Sequence, residues 1–289
     1  MAAYFRPSSL AEALGVRARQ PVTVLAGGTD VYPARANRVG WGDMRRDDIL
    51  DISAIAELRG IAEEQGRFRF GALTTWDEMR RATLPPVFAG YQMAARDVGG
   101  AQIQNRGTLV GNICTASPAG DGIPCLLSLD AEVELASARG RRIVPMSEFI
   151  DGYRRTVCAP DELVTAILVP KPPNGARGNF VKLGARRYLV ISIVMAAAVL
   201  AADASGTVTH ARVAVGACSA VAQRLPQLEQ ALFGRPLADA PDVVTAGHLA
   251  LLSPIDDVRA SGAFRAAAAV DVVHDLLAGI VREPCRSAA

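Results

Sequence analysis

Two stretches of this sequence carry residue types that hold anions and sugars. The first is Leu25-Ala26-Gly27-Gly28-Thr29-Asp30. A double glycine after a strand lets the backbone curl, so that successive N–H groups converge on an anion. Thr29 adds a hydroxyl donor. A tight turn with no ligand fits the same residues. The second stretch runs from Asn105 to Asp121. In it Gly107 and Gly111 flank Thr108, and Asn112, Thr115, Ser117 and Asp121 follow. That is a dense row of small donors and acceptors beside open backbone. It could wrap a phosphate–ribityl chain, with Asp121 accepting from a sugar hydroxyl. The alternative is a hydrophilic Ω-loop bonded to itself. The absence of an obvious hydrophobic plug in the stretch makes that alternative less comfortable.

Other chemistries find no support. GxGxxG, GxxxxGK[ST] and GxSxG do not occur, so neither a dinucleotide-binding Rossmann unit, a P-loop nor a nucleophile elbow is expected. The five cysteines (Cys114, Cys125, Cys158, Cys218, Cys285) are widely spaced without a CxxC. The three histidines (His210, His248, His274) are far apart. Zinc or iron–sulfur sites need four soft ligands, usually including a close pair, so no metal site is expected on this chain. Cys114 as a nucleophile lacks an evident histidine partner, and a small packed cysteine is the simpler reading.

The elements that must position the two stretches follow from length and pattern. The 289 residues suffice for about two domains at ~150 residues each. Half are hydrophobic and a fifth charged, which is ordinary globular composition. Thirty-one basic against 29 acidic residues give no basic excess for gripping nucleic acid. The N-terminus has no signal-peptide pattern. The most apolar run, 188–202, is shorter than the ~20 residues of a membrane span and reads as buried strand. Free, apolar-flanked cysteines suit a reducing cytoplasm.

Residues 3–6, 21–26 and 49–52 read as strands. A helix is expected from a Ser9–Glu12 capping box to about Gly15, and a helical turn over 53–58. Residues 1–58 thus form a small α/β lobe. A second unit, 59–173, has strands at 68–73, 141–144 and 163–169, helices at 75–82 and 87–98, and core-like structure over 125–130 and 131–136. The long segment 99–122 reads as an ordered functional loop. Pro170-Lys171-Pro172-Pro173 is the clearest boundary. Beyond it, 174–289 reads as a three-stranded sheet (179–183, 191–202, 208–217) followed by helices, an α+β arrangement.

Taken together, AGGTD after a strand, the NRGTxxGNxxTASPxGD stretch, a strand Leu163–Pro170 ending in proline, and Phe180-Val181-Lys182 before Arg186-Arg187 resemble one family. It is the FAD-binding (medium) subunit of the molybdenum hydroxylases, of xanthine dehydrogenase and carbon monoxide dehydrogenase type. The resemblance spans nearly the whole chain. It implies an α+β fold: a two-lobed FAD-binding domain of vanillyl-alcohol-oxidase (PCMH) type, then a CO-dehydrogenase-flavoprotein-like C-terminal domain. Val24, Leu25, Ala26, Gly27, Gly28, Thr29, Asp30 and Val31 would form the first FAD loop. Thr108, Leu109, Val110, Gly111 and Asn112 would form the second, continued by Thr115, Ser117 and Asp121. Val98 stands where the family often has an aromatic residue. Val164 would lend backbone groups to the flavin edge. Lys182 would lie near the flavin, with a solvated strand lysine as the alternative.

The resemblance further implies partners: a large molybdopterin-binding subunit, a small [2Fe–2S] subunit and an electron acceptor such as NAD+ or oxygen. The assembly would be a heterotrimer or a dimer of heterotrimers. Substrate (a purine, an N-heterocycle, an aldehyde or CO) would be oxidised elsewhere in the complex, so no catalytic residue is assigned here. The extra cysteine-bound cluster of hydroxybenzoyl-CoA reductases is not expected. Two rivals remain. One is a stand-alone reductase of the same fold, similar to UDP-N-acetylenolpyruvylglucosamine reductase. The other is an interaction subunit without flavin.

Overall fold

The computed structural model describes residues 2–282. Cys285 therefore lies outside the described residues. In the first lobe β1 (Tyr4–Phe5), α1 (Leu10–Arg19), β2 (Thr23–Leu25), α2 (Val31–Gly40) and β3 (Ile49–Asp51) alternate. The strands form a parallel sheet in the order β1-β3-β2, joined by helical crossovers. Ser9 caps α1 by accepting from the Glu12 N–H at 3.3 Å, but the Glu12 carboxylate bonds the Ser8 N–H instead of closing the box. The helix passes Gly15 and ends at Arg19, because Val16 still packs into the core. α2 has no buried residue. A helix without an apolar stripe leaves no period to read, which is why the sequence did not show it.

The second unit is built on an antiparallel sheet. Its elements are β4 (Ile61–Glu64), β5 (Arg67–Gly71), α3 (Trp76–Arg81), α4 (Ala89–Asp97), α5 (Ala101–Gln104), α6 (Leu109–Thr115), α7 (Gly122–Ser128), β6 (Glu132–Ser137), β7 (Gly140–Pro145), α8 (Met146–Phe149), β8 (Ile150–Gly152), β9 (Arg155–Thr156) and β10 (Leu163–Pro170). Five strands pair in the order β4-β5-β10-β6-β7, and β8 and β9 form a separate hairpin. The apolar run 163–169 is buried on both faces as the central strand. A bulge between Val164 and Ala166 bends its start. α3 begins with a complete Thr75–Glu78 capping box. Its Trp76 meets Tyr91 of α4 edge-on, 5.7 Å between ring centres.

The segment 99–122 is not one loop, since it contains α5 and α6. The missing plug is Leu109, Val110 and Ile113, which α6 turns inward. They are spaced i, i+1, i+4 between polar residues, so a seven-residue helix reads as a polar stretch.

The C-terminal unit comprises β11 (Arg177–Leu183), β12 (Val194–Ala202), β13 (Val208–Gly216), β14 (Gln223–Arg224), α9 (Pro226–Leu232) and α10 (Gly262–Arg282). Its sheet has four antiparallel strands, not three. β14 is only two residues long and shows no alternation. β12 begins at Val194 rather than Ile191, which is largely exposed. β12 is apolar at successive positions because both faces are covered. Met195, Ala197, Val199 and Ala201 join the core of the preceding unit. Val194, Ala196, Ala198 and Leu200 join a second core with α9 and α10. That accounts for the apolar run without a membrane. Among the described residues, no helix is long and apolar enough to cross one.

Candidate functional site

A cleft of about 560 Å³ opens where the first lobe meets the second unit. That is within the usual range of small-molecule sites. One wall is the turn after β2. The parallel sheet carries Leu25 into it, and α2 carries the chain away. Gly27 sits against the other loop so closely that a Cβ there would lie 1.9 Å from the Arg106 carbonyl oxygen. Gly28 has φ +76°, a left-handed conformation that favours glycine. Among the described residues, no protein acceptor takes the N–H groups of Gly27, Gly28, Thr29, Asp30 or Val31. Five successive donors therefore line the cleft unclaimed, which is the arrangement of an anion-binding nest.

The facing wall is α6. Thr108 caps it, accepting from the Gly111 N–H at 3.0 Å, while the Leu109 N–H goes to Thr74 O at 2.9 Å. The Asn112 side-chain oxygen is buried with no partner. A buried acceptor left open costs ~1–3 kcal/mol, so it points to a missing donor. The far end is closed by the β8–β9 hairpin and the bulged start of β10. There Glu162 accepts from Arg142 at 2.6 and 2.7 Å and from the Ala159 N–H at 2.8 Å. The Arg142 guanidinium holds the Glu162 carboxyl below its usual range.

Of the expected residues, Val24, Ala26, Gly27, Gly28, Thr29, Asp30, Val31, Val98, Thr108, Val110, Gly111, Asn112, Thr115 and Val164 line this cleft. Leu25 and Leu109 are core residues beneath the two loops. Ser117 accepts from the Ala119 N–H in its own turn at 3.3 Å. Asp121 and Lys182 meet each other, with Lys182 Nζ 2.6 Å from one Asp121 oxygen, and Ser192 Oγ donates to the other at 2.5 Å. Both carboxylate oxygens thus accept from the protein. Burial pushes the Asp121 carboxyl up, against the pull of the Lys182 ammonium. The lysine side chain is 8% exposed, so it is no solvated strand lysine.

Arg17, Trp76, Ile103, Cys158 and Glu162 also line the cleft and were not singled out from sequence. Arg17 sits on a surface helix and Glu162 in a connection. No local pattern distinguishes them. Cys114 lines the cleft as an exposed residue, and among the described residues no hydrogen bond or ion pair ties it to a base. No group of three or more potential metal ligands converges among the described residues.

Residues 1–172 match the model of the FAD binding domain in molybdopterin dehydrogenase, and residues 179–279 that of the CO dehydrogenase flavoprotein C-terminal domain. The nicotinate dehydrogenase FAD-subunit of Eubacterium barkeri is 34% identical over 81% of this chain and 80% of its own. The putative xanthine dehydrogenase FAD-binding subunit of Escherichia coli K12 is 32% identical over 91% of this chain and 90% of its own. Among solved structures, carbon monoxide dehydrogenase from Hydrogenophaga pseudoflava superposes with a TM-score of 0.85, at 28% identity over 96% of both chains.

Proposed function

The chain belongs to the FAD-binding medium subunits of the molybdenum hydroxylases, and from that premise we propose that its work is electron transfer inside a larger complex. Electrons would arrive from [2Fe–2S] clusters on a small partner subunit and leave for NAD+, oxygen or another acceptor. Substrate would be oxidised on a large molybdopterin-binding subunit, in a heterotrimer or a doubled heterotrimer.

The observation that carries this reading is the run of unclaimed N–H groups from Gly27 to Val31, facing a cleft whose opposite wall holds an unpaired Asn112 oxygen. A dinucleotide offers a diphosphate for the first and hydroxyls for the second. When bound, FAD accepts electrons singly and releases them in pairs, which no side chain here can do.

The protein's residues bind and orient. Gly27, Gly28 and Thr29 would hold the diphosphate with backbone N–H groups and the Thr29 hydroxyl. Thr108, Val110, Gly111, Asn112 and Thr115 would follow the ribityl chain along α6. Val98 would flank the flavin ring system, and Val164, at the bulged start of β10, would flank the ligand at the far end of the cleft. Asp121 and Lys182 would act from behind, fixing the start of α7 against β11.

The test is an absorbance spectrum of the purified chain, followed by chromatography of the heat-released supernatant. Two flavin bands and release of FAD rather than FMN are expected. A colourless chain that takes up no added FAD would overturn the reading. Iron–sulfur absorbance co-purifying with the flavin is expected of the complex; monomeric turnover with NADPH would favour the stand-alone reductase instead.

A further inference from the structure

Arg17 has no carboxylate in ion-pair range among the described residues, yet it lines the cleft. Its neighbour Glu162 is already held by Arg142. The guanidinium is instead fixed by backbone carbonyls. Nε donates to Glu162 O at 3.1 Å, and Nη2 to Glu162 O at 2.9 Å and Ala159 O at 3.5 Å. Nη1 donates to Val22 O at 3.2 Å. A guanidinium has five N–H groups, all in its plane, and four are thereby engaged. Fork-like recognition of a phosphate needs two of them free on one side. What remains available is the planar cationic face, which suits an electron-rich aromatic ring.

The position agrees. Arg17 bonds the Ala159 and Glu162 carbonyls just after the β8–β9 hairpin, and that hairpin meets the end of α6, where Ala116 O accepts from the Arg154 N–H. Near the start of α6, Ile103 O accepts from the Gly107 N–H, and both Ile103 and Val98 line the cleft. Arg17 therefore stands toward the end of α6 and the apolar Ile103 toward its start, with Gly27–Val31 also lining the cleft.

We propose that Arg17 is a stacking platform for the adenine ring, so that it sets the preference for a flavin dinucleotide over a flavin mononucleotide. The inference rests on the FAD reading above and adds the orientation of the ligand, base toward Arg17 and flavin ring toward Val98.

The experiment is a fluorescence titration of the flavin-free full chain with FAD and, separately, with FMN, for wild type, Arg17→Met and Arg17→Lys. Wild type should prefer FAD. Arg17→Met should weaken FAD about tenfold and leave FMN within about twofold, the size expected of a desolvated cation–π contact. Arg17→Lys, which keeps the charge but not the planar face, should not restore FAD affinity. Equal loss of both ligands would show a structural staple only. Unchanged FAD affinity, or full retention by Arg17→Lys, would also overturn the proposal. Should Arg17→Met fail to fold, the lysine variant carries the same comparison. A wild-type chain that binds neither ligand would overturn the FAD reading itself, a result distinct from selective failure of the variants.

Discussion

At the scale of single residues, Gly27 shows how a legible motif can have an illegible cause. The sequence marks a double glycine after a strand, and only one of the pair needs a left-handed φ. Gly27 is required for a different reason, the passage of the Arg106 carbonyl through the space a side chain would fill. That contact joins residues far apart in the chain, so no local pattern holds it. Gly27→Ala should force the two cleft loops apart. We expect it to cost about 2–3 kcal/mol of stability by overpacking and to lower FAD affinity at least a hundredfold. Denaturant titration and flavin fluorescence measure the two effects. Wild-type FAD binding by Gly27→Ala would mean that the loops need not touch to form the site. Arg17 and Glu162 illustrate the converse: they line the cleft through tertiary placement of ordinary surface residue types.

At the scale of elements, strands with strong apolar content were legible and weakly patterned helices were not. β10 and β12 stand out as β-branched or alanine-rich runs because both of their faces are covered. α2 buries nothing, and α6 hides its apolar residues among donors, so neither leaves a helical period in the sequence. The two stretches that hold the cleft were found by residue type, and the structure brings them into contact. Asp121 and Lys182 were read as individual site residues. The structure makes them a joint between α7 and β11. Breaking a buried pair by removing one partner leaves an uncompensated charge. Lys182→Met should therefore destabilise by ~3 kcal/mol, and Asp121→Asn/Lys182→Met together by clearly less than the sum of the single changes. Additive losses in denaturant melts would show that the two side chains act independently.

At the scale of the whole molecule, the proline-rich link marks where one sheet ends and another begins, but it is not a seam between independent bodies. β11 lies backbone-to-backbone on the preceding unit: a Cβ at Gly178 would meet the Val87 carbonyl oxygen at 2.1 Å, and one at Gly90 the Asn179 carbonyl oxygen at 2.5 Å. β12 contributes to both cores. The molecule should therefore unfold in a single transition. Gly178→Ala should lower its midpoint by several degrees, with about 2 kcal/mol lost. Calorimetry showing two resolved transitions in the wild type would contradict this coupling.

One carboxylate also grips both ends of the span between β11 and β12, through Lys182 before it and Ser192 after it. Between those anchors the chain carries exposed Tyr188, Leu189 and Ile191, and among the described residues Arg186 hydrogen-bonds only Leu189 O, within the same span. Such a span is a natural graft point. Because closure entropy grows slowly with length, doubling it costs only about 0.6 kcal/mol. A peptide tag or a longer foreign segment inserted at Tyr188 should leave the sheet and the Asp121 clasp intact. Retained folding of such an insertion, read by denaturant titration, would show that the clasp and not the length of the span holds the sheet.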